Sequence, residues 1–228
     1  MHRPLPRGPR GSTILEAAVV LVMLGLLSAI AVPRFLSSRA RAHQAEVRNN
    51  LNSWMFAQRS HYEEKGRYEQ DLLKLGFTVE RGNRYAYYFG LMPAVCEMRN
   101  TAEPVRPPPT TRWPMNCIAA DRYVHGDKVV PVPPWFGMSN PVATHTGEGF
   151  PPGDPGVTNG PEGWTSEGNI SAFAVGQIDG DPVMDSWYIS SADARISARC
   201  GDSKEHLEAG TPINYFDDVT QDSYVGCN

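Results

Sequence analysis

An uncharged apolar run from Ala17 to Val32, entered through a single carboxylate at Glu16, constrains this chain more than any other stretch of its 228 residues. With Ile14 and Leu15 it approaches the ~20 residues that a helix needs to span a bilayer. A carboxylate at that depth costs several kcal/mol unless it finds a partner, so Glu16 implies a pairing that the isolated chain does not supply. Residues 1–11 carry Arg3, Arg7 and Arg10 and no acid, which by the positive-inside rule keeps this end cytoplasmic and sends the rest across the membrane.

Three readings fit this pattern. Ala29-Ile30-Ala31 has the small-x-small form of a signal-peptidase site, which suits a secretory signal, although an acid so early in the apolar region does not. An uncleaved signal anchor is the second. The third rests on Gly11-Ser12-Thr13-Ile14-Leu15-Glu16, which resembles the class III signal of type IV pilins and the related secretion pseudopilins. The likeness continues through Gly25, Ser28-Ala29-Ile30-Ala31-Val32, Pro33 and Phe35, where a pilin stem carries glycine, small apolar residues, proline and phenylalanine.

The resemblance implies that a prepilin peptidase cuts after Gly11 and methylates the new amine of Ser12. It makes Glu16 the fifth mature residue and assigns Glu16, Pro33 and Phe35 to subunit assembly. The family usually begins its mature chain with phenylalanine or methionine; this one begins with serine. In a filament the glutamate pairs with a neighbour's terminal amine. The implied partners are other pilin subunits, the peptidase, the inner-membrane assembly machinery and, before assembly, the lipid bilayer. The implied location is the bacterial inner membrane and then an extracellular filament. Two further readings stand beside the pilus subunit: a pseudopilin of type II secretion, and a monomeric membrane-anchored binding protein.

From Phe35 to Glu64 there is neither glycine nor proline, and Val47, Leu51, Trp54 and Met55 recur at helical spacing. One stem helix is therefore expected from near Ile14 to Lys65, stopped by Gly66 and kinked at Pro33 or Gly25. Its transmembrane part covers about residues 14–33, and its second half lays the Val47–Met55 stripe on a head domain, residues 66–228. In the head, Leu72–Leu75 reads as a short amphipathic piece, residues 81–84 as a turn, and Tyr85–Phe89, Ser171–Gly176 and Ser186–Ser190 as strands. A long helix followed by an antiparallel sheet is an α+β fold, as in the pilin head. Residues 91–170 hold most of the prolines, including Pro107–Pro109, and read as an insertion between the first and second strands, mostly surface loop with a few short strands.

Cys96, Cys117, Cys200 and Cys227 read as two disulfides in a translocated domain, with three connectivities open. Cys96–Cys117 with Cys200–Cys227 is preferred because each closes a compact loop, and the second resembles the C-terminal disulfide loop of many pilins. No CxxC or neighbouring histidine spacing supports zinc. Asp179, Asp181 and Asp185 place three carboxylates in one short loop, an oxygen set that suits a structural calcium, with a plain turn as the alternative.

Charge narrows the function classes. The formal charge of −4 becomes −7 when the three leader arginines are removed, which argues against constitutive nucleic-acid binding. Arg34, Arg39 and Arg41 follow the apolar run and suit helix-surface or lipid-headgroup contacts. There is no HExxH, nucleophile elbow or phosphate loop, and His43 and His61 fall on the stem helix, so no catalytic role is expected.

Overall fold

A computed structural model describes residues 12–89, 95–108, 114–129, 144–145, 170–178, 184–191, 194–197 and 204–217. The chain divides into two compact units, Met1–Ala40 and Arg41–Asn228.

Helix α1, Ser12–Lys65, accounts for the first unit's described residues and crosses into the second. It runs through Gly25 and Pro33 as one helix, at about the bounds the sequence predicted. Pro33 supplies no N–H, so the Ala29 carbonyl loses its helical donor there. The helix stops at Gly66, whose φ of 70° opens the left-handed conformation and whose N–H caps the Tyr62 carbonyl at 2.8 Å.

In the second unit the predicted stripe is buried: Val47, Leu51 and Trp54 are fully inaccessible and Met55 nearly so. Against it lies β1, Tyr85–Phe89, at the predicted bounds. Alternation along β1 aims Tyr85, Tyr87 and Phe89 at α1. The Trp54 and Phe89 rings meet at 5.1 Å, and Asn50 donates to the Tyr87 hydroxyl at 2.8 Å. Ala86 and Tyr88 point the other way, into a cluster with Cys117, Val129, Phe173, Val175 and Tyr188. Both faces of β1 are thus covered, which is why its sequence is apolar and aromatic throughout rather than alternating.

Two further predicted strands pair as expected. β5, Ser171–Gly176, lies antiparallel to β1, and β6, Asp185–Ser190, antiparallel to β5. Among the described residues one sheet has six strands in the order β2-β3-β1-β5-β6-β9, with β2 Cys96–Glu97, β3 Cys117–Ile118 and β9 Ile213–Phe216. Its pairings are antiparallel except β2 with β3, which is parallel. A separate sheet joins β4 Thr144–His145, β7 Ala194–Ser197 and β8 Lys204–Leu207. α2 is Leu72–Leu75, N-capped by Asp71, and α3 is Arg122–His125.

One expectation for the head needs correcting, and one gains detail. Within residues 91–170 the described part includes short strands, and there β3 forms a hydrogen-bonded neighbour of β1 while residues 115–121 are buried. Strands of two residues leave no period to read, so their burial was invisible in the sequence. Asp185, assigned to an acidic loop, instead opens β6 and is fully buried.

Candidate functional site

Every described side chain from Ile14 to Leu36 is exposed, and the run includes Ile14 at 80%, Leu21 at 69%, Leu27 at 65% and Phe35 at 66%. A mainly apolar exposed surface of this length marks a membrane or protein contact rather than a water-facing helix. The segment is long and apolar enough to cross a bilayer. Glu16 is exposed within it and is its lone acid; the next along α1 is Glu46. Ser12 opens the helix four residues earlier, about one turn from Glu16. Pro33 and Phe35 are exposed on the same helix, and Gly11 lies outside the described residues.

The head carries two buried polar centres that fix its shape. The first surrounds Asp185. Its Oδ2 accepts from the Tyr85 hydroxyl and the Trp187 indole, both at 2.6 Å, and its Oδ1 accepts from Gln44 at 3.0 Å and Asn214 at 3.1 Å. Burial pushes this carboxyl above the usual aspartate range despite those donors. Gln44 also reaches Asp217 at 2.7 Å, so one α1 side chain ties the helix to β6 and to the residue after β9. Both Asp185 oxygens are engaged by protein donors, and Asp179 and Asp181, its companions in the calcium reading, lie outside the described residues.

The second centre surrounds Arg99, which is 1% exposed. All five guanidinium N–H groups are used. Nε and Nη2 donate to Glu97 Oε1 at 3.0 and 2.8 Å, and Nη2 also donates to the Val79 carbonyl at 2.7 Å. Nη1 donates to the Glu80 carbonyl at 2.8 Å and Asn83 Oδ1 at 2.6 Å. Arg106 supplies Glu97 Oε2 at 2.9 Å. Burial raises the Glu97 carboxyl, but the hydrogen bonds from Arg106 and Arg99 outweigh it and leave the group below its ordinary value. Beside it, Asp121 takes Arg81 Nε at 2.5 Å and Nη2 at 3.0 Å, with the Gly82 and Val124 amides at 2.9 and 3.2 Å. These donors likewise outweigh burial and lower it.

The Cys96–Cys117 disulfide closes over the same region, joining the facing residues of β2 and β3. Cys200 and Cys227 lie outside the described residues. None of the residues around Arg99 or Asp185 except Asp185 itself was singled out by sequence reasoning. One signal was present: Glu97 and Arg99 are two apart in extended chain, so their opposite charges share a face.

Residues 38–185 match the family model described as type IV pilin PilA. Over 220 residues the chain is 33% identical to the type IV major pilin protein PilA of Myxococcus xanthus, a match that covers 93% of this chain and 94% of that protein. The chain belongs to the type IV pilin family. It is also 50% identical over 38 residues to the type IV narrow pilus major component PilA5 of Thermus thermophilus, 17% of this chain and 33% of that protein. The pilin is thus a structural subunit that assembles with other pilin subunits into a pilus filament. The buried centres belong to the head that this helix carries.

Proposed function

We propose that this pilin is stored in the bacterial inner membrane, cut by prepilin peptidase after Gly11 and methylated on Ser12. The assembly machinery, driven by its ATPase, then draws the stem from lipid into the helical bundle of an extracellular filament. The observation that carries this reading is the exposed surface from Ile14 to Leu36, uncharged from Ala17 to Pro33 and with Glu16 as its one acid. Lipid and a bundle of identical stems are both apolar surroundings, so moving between them costs little hydrophobic free energy. What distinguishes them is a partner for the charge. Cleavage creates an α-amine at Ser12, and in the bundle a neighbour's amine can meet Glu16. Two opposite charges desolvated together are tolerated, whereas either alone is costly, so the pair sets the stagger between subunits.

Glu16→Ala and Glu16→Gln test this in cells that assemble the chain. Both variants should accumulate in the membrane at normal levels and yield less than a tenth of the sheared filaments. Filament yield unchanged by both substitutions would refute the pairing.

A further inference from the structure

The half of α1 that belongs to the second unit carries an outward face with two arginines at one end and an acid, Glu63, toward the other. Arg41, Gln44, Ala45, Arg48, Asn49 and Asn52 of this helix, with Trp187 of β6, line a surface groove of about 550 Å³. Gln44 turns its amide nitrogen to Asp185 and Asp217, so the groove's uncommitted charges are the two guanidinium groups. Both arginines are exposed, and among the described residues neither makes a hydrogen bond or ion pair. Further along the same helix stand Phe56, 75% exposed, and Glu63, exposed as well. Arg48, Asn52, Phe56 and Glu63 follow steps of four, four and seven residues, which keeps them on one helical face. That face therefore reads cation, amide, aromatic, cation, acid from the groove toward Lys65, the second cation being Arg59, which donates to the Ala209 carbonyl at 3.4 Å.

The geometry points to a second copy of this chain as the occupant of the groove: Glu63 of one subunit seats between Arg41 and Arg48 of another. This rests on the polymerisation reading above and adds a specific polar contact to it. The two partners lie on the same helix, separated by about 22 Å from Arg48 and about 33 Å from Arg41 at 1.5 Å per residue. An axial shift of one copy by about that amount, with a rotation that turns its face toward the other's, brings them together without altering either. A contact between two different patches of identical chains is heterologous and propagates into an open filament instead of closing as a dimer. Phe56 lies between the groove and the acid, so the same shift covers an aromatic side chain that water otherwise surrounds. A cation meeting a carboxylate here is worth more for register than for affinity, because oppositely charged patches fix stagger and like charges repel.

Paired cysteines give the direct test. Full-length Arg48→Cys/Glu63→Cys is expressed in cells that assemble the chain, and sheared filaments are oxidised and run without reductant. Arg48 and Glu63 are too far apart along one helix to bridge within a chain, since a disulfide needs Cα atoms within about 7 Å. A ladder of dimers and higher multimers is expected from filaments of the double variant, and none from either single variant. Filaments of the double variant that show no ladder would overturn the contact.

Charge reversal provides a second readout that does not depend on cysteine. Arg48→Glu and Glu63→Arg should each lower filament yield at least tenfold, and their combination should return it to within about twofold of the unaltered chain. A combination no better than either single change overturns the proposal. So does a groove filled by an anionic lipid headgroup, which gives neither a ladder nor rescue. Failure of the underlying reading looks different, because the unaltered chain would then form no filaments at all; that result would overturn both.

Discussion

Arg99 illustrates how single side chains hold a pilin head together. Its guanidinium is buried with all five N–H groups bonded, and Glu97 shares its charge with Arg106 as well. Breaking such a buried pair by removing one partner costs about 3–5 kcal/mol, because the other charge stays behind unpaired. Glu97→Gln should destabilise the head by that order at neutral pH. Its pH dependence should change too. Glu97 and Asp121 sit below their ordinary values of 4.5 and 3.8, so the stability they contribute is complete above those values and is lost as pH falls through the lower folded ones. Asp185 has the opposite sign. Its carboxyl is raised above 3.8, so the native state holds that proton more tightly and stability declines as pH rises through the folded value. Thermal melts of the unaltered chain should therefore show an acid limb below about pH 4.5. Glu97→Gln should flatten that limb, and an unchanged acid limb would show that Glu97 is not one of its causes.

At the scale of elements, α1 joins two surfaces with different duties. Its buried stripe works by packing: Trp54→Ala should cost the head about 3–5 kcal/mol, read as a lowered denaturation midpoint. Phe56, two positions on and 75% exposed, should tolerate the same change within about 0.5 kcal/mol. Equal losses at both positions would contradict the assignment of faces. These faces were legible beforehand because a helix writes its burial as a period of three and four, and Val47, Leu51, Trp54 and Met55 kept to it. Strands β1, β5 and β6 were legible through β-branched and aromatic runs between turns. β2 and β3 were not, since two residues cannot show a period and their burial comes from long-range pairing across the disulfide. Asp185 misled for a related reason: an aspartate reads as loop, and only the convergence of Tyr85, Trp187, Gln44 and Asn214 makes its burial tolerable.

For the whole molecule, the division at Ala40 separates the unit that needs lipid or neighbours from the unit that has its own core. A chain beginning at Arg41 keeps the buried stripe, the six-stranded sheet and both polar centres, and loses the exposed apolar surface. It should be a soluble monomer by light scattering with the Cys96–Cys117 bond intact, and it should not enter filaments. Aggregation of that head as strong as that of the full chain would show that the apolar stem is not the polymerising surface. The apolar half of α1 was the most readable part of the protein, because a lone acid in an apolar helix is conspicuous in one dimension. The polar centres required three. The central claim is that the stem becomes competent only once Ser12 bears a free amine near Glu16. Peptide mass spectrometry of the N-terminus from sheared filaments tests it most directly. A peptide beginning at N-methylated Ser12 is the expected result, and a chain that begins at Val32 or retains residues 1–11 in the filament would contradict it.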